Sequence, residues 1–151
     1  MVSLKKLGHI GLFVKDMEKS KKFYTEILGF KVSDINDSGI VFLRCGTDHH
    51  TTVLVPMPEE KKDVASPQRD EIQQISYEVD RVEDLREALL FLKEKGVPIV
   101  SGLQQRGPGG DKTIDFLDPD GNNIQLFCDM EQIGWDDVSK PKKMWARKQL
   151  D

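Results

Sequence analysis

The chain of 151 residues contains one order of predicted elements twice: a strand, a helix and then three strands. His9 and Ile10 in the first copy correspond to Gln74 and Ile75 in the second copy. A single helix covers only one face of a four-stranded sheet, so a second copy or a second chain must close the other face. The repeat therefore predicts a concave interior, which is a common place for a small-ligand site.

We predict the α+β class, with two βαβββ modules that form an open, cup-shaped mixed sheet. The modules span residues 5–56 and 71–129, and a polar, proline-containing segment at 57–70 links them over the surface. Together they form one domain over residues 1–130. Residues 131–151 form a C-terminal tail, which packs Trp135 and Trp145 on the body or on a partner chain, or forms a short basic helix.

Hydrophobic periodicity and turn residues give the elements of the first module. A strand covers Leu7–Val14, and Asp16 caps a helix whose apolar stripe ends at Gly29. The next strands are predicted at Phe30–Ile35, Ile40–Cys45 and His49–Val55.

The second module follows the same scheme. A strand covers Ile72–Val79, and Asp80 caps the next helix, with Glu83 in the position of a capping box. Val82, Leu85, Leu89 and Leu92 form its apolar stripe, and Gly96 ends this helix. The remaining strands are predicted at Pro98–Leu103, Thr113–Leu117 and Asn122–Cys128.

Composition excludes several classes of partner. The 22 basic and 26 acidic residues give a mildly acidic chain, which supports neither a nucleic-acid nor a membrane partner. No apolar run approaches the roughly 20 residues of a membrane span. Cys45 and Cys128 lie in strand patterns without CxxC spacing, so we expect reduced, buried thiols in a cytoplasmic protein.

Side-chain alternation along the strands directs polar groups into the predicted interior. Ile10, Leu12 and Val14 face a helix, so the opposite face of that strand carries His9. The same rule places Gln74 and Gln125 on the corresponding face of the second module. Because a buried polar group without a partner costs about 1–3 kcal/mol, the convergence of these three indicates a metal, a ligand or a hydrogen-bonded cluster.

Three motifs resemble one family: LGHIGLFVKD, SKKFYTEILGF and FLDPDGNNIQLF. With the repeated βαβββ unit, they make the chain similar to the vicinal oxygen chelate superfamily. That superfamily includes glyoxalase I, fosfomycin- and bleomycin-resistance proteins, and extradiol dioxygenases. The segment IVFLRCGTDHHTTVLV looks most like extradiol dioxygenases of the biphenyl-2,3-diol type.

This resemblance implies a site. The dioxygenases hold Fe(II) by two histidines and a glutamate, and these positions match His9, Gln74 and Gln125. His50 matches their acid–base histidine, and Asp115 falls where they have a tyrosine. Strand alternation places His49 on the opposite face from His50.

Three functions are consistent with these residues. In the first, His9, Gln74 and Gln125 hold a divalent metal, Fe(II), Mn(II) or Zn(II), and His50 takes a proton from a catechol. In the second, a resistance-type protein binds a small molecule without metal. The third is a non-catalytic module, like the metal-free half of two-domain extradiol enzymes.

The cavity lining and the assembly complete the set of predictions. Phe13 and Phe127 form apolar walls of the cavity, and Asp115 is a further lining residue. The ligand is a small aromatic or oxygenated molecule, and the resemblance implies a homodimer.

Overall fold

The structure is a computed structural model, and it describes residues 7–59, 72–105, 109–131, 138, 141 and 148–150. The chain forms two compact units, unit 1 at Met1–Ser66 and unit 2 at Pro67–Asp151. Each unit contains the βαβββ order, which confirms the predicted α+β class. The predicted open, cup-shaped sheet depends on how the two modules combine, and it stays a prediction.

Unit 1 carries a four-stranded sheet and one helix. Its elements are β1 (Ile10–Val14), α1 (Met17–Lys22) with a π-helical continuation at Phe23–Ile27, β2 (Lys31–Ile35), β3 (Val41–Arg44) and β4 (Thr52–Pro56). The strand order is β1-β4-β3-β2. β1 and β4 run parallel, and the other neighbouring pairs run antiparallel.

The core of unit 1 lies between this sheet and its helix. Leu12, Val14 and Leu54 are buried, as is Tyr24 on the helix, so the predicted inward face of β1 is confirmed. Asp16 begins α1, because its Oδ1 accepts a hydrogen bond from the backbone N of Lys19 at 3.0 Å.

Unit 2 repeats the arrangement and adds one strand. Its elements are β5 (Ile75–Glu78), α2 (Val82–Glu94), β6 (Ile99–Gln105), β7 (Lys112–Leu117), β8 (Asn123–Cys128) and β9 (Lys148–Gln149). The strand order is β5-β8-β7-β6-β9. β9 comes from the predicted tail and pairs antiparallel with Gln104 and Gln105 of β6.

The start of α2 differs from the prediction by one residue. Arg81, not Asp80, is the N-cap, and its backbone N donates to Oδ2 of Asp84 at 3.0 Å, so Asp84 takes the position predicted for Glu83. Both pairs have the same spacing, so the pattern alone did not distinguish them. Leu85 and its stripe partners Leu89 and Leu92 are buried, as predicted.

Several strands are shorter than predicted at the ends that carry candidate residues. His9 directly precedes β1, Gln74 directly precedes β5, and β4 begins at Thr52 rather than at His49. The segment before β4 is a loop whose last residue, Thr51, donates its backbone N to the Leu43 carbonyl at 2.8 Å. β-branched composition had predicted a strand there, but the return from β3 requires a loop.

One cysteine prediction is confirmed and the other is wrong. Cys128 is buried at the end of β8. Cys45 is exposed, because β3 ends one residue earlier and the chain leaves the sheet there. Its Sγ lies 3.4 Å from Oγ1 of Thr51.

The predicted linker and tail are described only in part. Met57, expected at the start of the surface linker, is buried in unit 1, and its backbone N donates to the Val14 carbonyl at 3.0 Å. Residues 60–71, Trp135 and the basic segment with Trp145 lie outside the described residues. In the described part of the chain, no helix is long and apolar enough to cross a membrane.

Candidate functional site

Unit 1 brings three aromatic side chains together beside the start of β4. The rings of His9 and His50 have their centroids 4.6 Å apart and are tilted by 55°. The Phe42 ring on β3 lies 5.2 Å from the His50 ring. These distances are typical of aromatic pairs in contact.

The parallel pairing of β1 with β4 positions the two histidines. Ile10 is opposite Thr52, and the backbone N of Ile10 donates to the Thr51 carbonyl at 3.1 Å. His9 directly precedes β1 and His50 lies two residues before β4, so the two side chains lie side by side at the same ends of the paired strands. His9 is exposed and His50 is half-buried, so both rings remain within reach of a ligand.

The prediction that His49 faces away from His50 is wrong. The Nδ1 atoms of the two rings are 3.0 Å apart, which requires one ring to donate and the other to accept. Strand alternation does not apply here, because both residues precede β4. The His49 ring also lies 6.2 Å from the Phe42 ring, so it belongs to the same cluster.

A polar network occupies the corresponding face of the unit 2 sheet. Gln125 is 3% exposed, and its Oε1 accepts hydrogen bonds from Gln74 Nε2 at 3.1 Å and from Ser76 Oγ at 2.9 Å. Its Nε2 donates to Oδ1 of Asp115 at 2.9 Å. One amide thus connects β5, β8 and β7.

The network continues along the same face of the sheet to β6. Asp115 is 1% exposed, and its Oδ2 accepts a hydrogen bond from the Ser101 hydroxyl. Gln104 Nε2 donates to the same hydroxyl at 2.8 Å. Strand register explains the alignment, because Asp115 is opposite both Gln125 and Ser101.

Our sequence reasoning missed Ser76, Ser101 and Gln104. The signal for Ser76 was available, because it lies two residues after Gln74 and so shares its face. Ser101 and Gln104 lie beside irregular register in β6, which strand alternation alone does not resolve.

The two predicted phenylalanine walls lie on the expected faces. Phe13 on β1 is 41% exposed and is opposite Val55 of β4. Phe127 is half-buried, lies two residues after Gln125 and is opposite Thr113.

The predicted site residues thus form two clusters, one within each unit. His9 and His50 meet in unit 1, whereas Gln74, Gln125 and Asp115 are joined by hydrogen bonds in unit 2. That His9 shares an interior with the two glutamines stays a prediction.

The donor set of unit 2 does not fit a divalent metal. The Gln125 oxygen, which would be a ligand, already accepts two hydrogen bonds, and the Gln74 Nε2 donates both to it and to Ser76. Amide oxygens are also neutral, weaker ligands for Fe(II) than imidazole and carboxylate. Within the described segments, no group of three or more His, Cys, Asp or Glu side chains is placed to hold a metal ion.

Shifted pKa values occur where β7 and β8 meet their flanking loops. Burial raises the pKa of the Cys128 thiol, so the neutral form is favoured. The hydrogen bond from Lys112 to Asp129 raises the pKa of the lysine. Neither group belongs to the two clusters.

The chain thus consists of two βαβββ units, each with a polar or aromatic cluster on the sheet face opposite its helix. The model of the Glyoxalase/Bleomycin resistance protein/Dioxygenase superfamily matches residues 6–126. The chain therefore belongs to this superfamily, and the predicted family is confirmed.

Extradiol dioxygenases are among its relatives. The chain is 30% identical over 131 residues to the manganese-dependent 2,3-dihydroxybiphenyl 1,2-dioxygenase of Geobacillus genomosp. 3, covering 84% of this chain and 38% of the relative. It is 27% identical over 128 residues to the metapyrocatechase of Pseudomonas sp. (strain CF600), covering 82% and 39%. The chain thus spans about two fifths of the length of these relatives.

A solved structure supports the same fold. The crystal structure of a glyoxalase/dioxygenase from Nostoc punctiforme matches with a TM-score of 0.64 and 25% identity. The match covers 84% of this chain and 92% of that one.

Proposed function

We propose that this chain binds a small hydroxylated aromatic molecule without a resident metal ion. The observation that carries the proposal is that both polar atoms of the Gln125 amide already have hydrogen-bond partners. Its oxygen accepts two hydrogen bonds and its nitrogen donates to Asp115, so a metal would have to displace those contacts before it could bind. The family glutamate would offer a negative charge there, and glutamine does not.

The histidine cluster of unit 1 supports the ligand class. Imidazole both donates and accepts hydrogen bonds, so His9 and His50 suit a phenolic hydroxyl. Phe13 and Phe42 supply aromatic surface on the same sheet, and offset or edge-on ring contacts add about 0.5–1.5 kcal/mol to simple burial. We assign to His50 the contact that polarises the hydroxyl.

A second candidate is a metal-dependent extradiol dioxygenase. It is favoured by the similarity to the manganese-dependent relative and by the presence of His9 and His50. In that case His9, Gln74 and Gln125 would hold Fe(II), Mn(II) or Zn(II), and His50 would accept the catechol proton. The hydrogen bonds that the two glutamines make, which a bound metal would have to displace, count against this candidate.

Metal content separates the two candidates. The protein would be purified anaerobically with Fe(II), Mn(II) or Zn(II) and analysed by mass spectrometry, beside His9→Ala and, as a control, His49→Ala. Our proposal predicts far less than one metal per chain in all three proteins. Near-stoichiometric metal that is lost only in His9→Ala would contradict it, and a ring-cleavage assay with 2,3-dihydroxybiphenyl would then test the dioxygenase.

We also propose that the chain forms a homodimer, as the family resemblance implies. Light scattering coupled to gel filtration should then give twice the chain mass of 17.2 kDa. The mass of a single chain at micromolar concentration would contradict the dimer without affecting the proposed ligand class.

A further inference from the structure

We propose that a planar aromatic ring lies directly over Gly11, on the face of the unit 1 sheet opposite its helix. This inference rests on the proposed function and names the surface that accepts the ring and the residue that limits its size. Gly11 is the second residue of β1, between His9 and Phe13 on the face that points away from the helix.

The backbone of β1 does not require a glycine at this position. The φ of Gly11 lies outside the left-handed region, so an L-residue fits without strain. Glycine within a strand is unfavourable, and it often marks a point where a ligand or another backbone approaches closely. The glycine therefore calls for an explanation other than local conformation.

The space above Gly11 is open. A Cβ added there would meet no heavy atom of the described residues within 4 Å, apart from the chain neighbours. The cross-strand partner on β4 is Val53, which is 7% exposed, and Phe42 is opposite Val53 on β3. An apolar floor thus extends from the glycine across two further strands.

Aromatic and hydrogen-bonding side chains border this floor. Phe13, 41% exposed, lies at one end of the glycine, and exposed His9 lies at the other end with its ring 4.6 Å from that of His50. Between the phenyl ring and the imidazole pair, this face of β1 carries only Gly11, which has no side chain. The gap suits a single aromatic ring with its hydroxyl directed toward the histidines.

A side chain at position 11 should therefore block the ring without harming the fold. We would replace glycine by alanine and by valine and titrate each protein with 2,3-dihydroxybiphenyl by calorimetry. Gly11→Val should weaken binding about tenfold or more, and Gly11→Ala should weaken it less. The melting temperature of Gly11→Val should equal or exceed that of the wild type, because valine favours strands.

A matched control is available in the same unit. A Cβ added at Gly46 would also meet no heavy atom of the described residues within 4 Å, apart from the chain neighbours, and its φ lies outside the left-handed region, but Gly46 lies in the loop after β3. Gly46→Val should leave the affinity unchanged. Amide chemical shifts give a second measurement that does not depend on a variant, and the largest ligand-induced changes should centre on Gly11 and Val53.

The outcomes distinguish this inference from the proposed function. Unchanged affinity in Gly11→Val would overturn the inference and leave the proposed function standing. Shift changes confined to unit 2 would overturn the inference together with the contact assigned to His50, and would leave only metal-free ligand binding. Absence of binding in the wild type would overturn both. If Gly11→Val lost its fold, the shift changes in the wild type would decide.

Discussion

Gln125 donates a hydrogen bond from Nε2 to Oδ1 of Asp115 over 2.9 Å, and both side chains are almost fully buried. The bond joins a neighbouring carboxylate to position 125, which the family resemblance predicts to match the metal-binding glutamate of the extradiol dioxygenases. An amide at position 125 satisfies that carboxylate, whereas a glutamate in its place would repel it.

Gln125→Glu should therefore lower the free energy of unfolding at neutral pH. The donor to Asp115 is lost and a second carboxylate faces the first, which should cost about 1–3 kcal/mol. Asp115 would raise the pKa of the introduced carboxyl, so the folded variant binds more protons than the unfolded chain. Its stability deficit should shrink as the pH falls.

Urea denaturation at about pH 7.5 and about pH 5 measures this dependence. Gln73→Glu is the control, because that exposed side chain adds the same charge outside the network, and it should change stability by less than about 0.5 kcal/mol. A Gln125→Glu deficit that is equal at both pH values would contradict the repulsion.

Replacement of His50 by phenylalanine should weaken binding of 2,3-dihydroxybiphenyl. The ring contacts with His9 and Phe42 are kept, but the imidazole hydrogen bond is lost, so we expect about a fivefold to tenfold loss of affinity. His49→Phe removes only the bond between the two Nδ1 atoms and should have a smaller effect. Equal losses of affinity for the two variants in a calorimetric titration would contradict the assignment of the hydroxyl contact to His50.

The cap of α2 gives a test of the fold. Asp84→Ala should reduce the unfolding free energy by about 0.5–1 kcal/mol, because the backbone N–H of Arg81 loses its acceptor. Glu83→Ala serves as its neighbouring control and should be nearly neutral. If chemical denaturation showed a larger loss for Glu83→Ala than for Asp84→Ala, the result would contradict this cap and favour the predicted pair of Asp80 and Glu83.

The two cysteines should differ in reactivity toward a thiol reagent such as iodoacetamide. Cys45 is exposed, whereas Cys128 is buried and burial raises its thiol pKa, so little thiolate forms there. The native protein should take up one equivalent quickly and the unfolded protein two. A native Cys45→Ser protein that reacts as fast as the wild type would contradict the assigned burial.

Much of the fold was predictable because strongly periodic segments determined it. The stripe of Leu85, Leu89 and Leu92 predicted α2, and alternation predicted which side of β1 packs against a helix. Element ends were less predictable. The segment around His49 has strand-forming composition but is a loop, because β3 and β4 are antiparallel neighbours that need a return.

The site was predictable only in part for a related reason. Alternation identified Gln74 and Gln125 as sharing a face, but not that the two amides bond to each other. The role of Asp115 depends on its register with Gln125, which no local pattern specifies. β9 could not be foreseen either, because Lys148–Gln149 is too short to show strand periodicity.

Binding of 2,3-dihydroxybiphenyl to chelator-treated protein tests the central claim most directly. Calorimetric titrations would be run with excess chelator and, in parallel, anaerobically with Fe(II) or Mn(II). We predict saturable binding with the same affinity in both conditions and no ring-cleavage product. Binding or ring cleavage that appears only with the added metal would contradict the account and favour the dioxygenase.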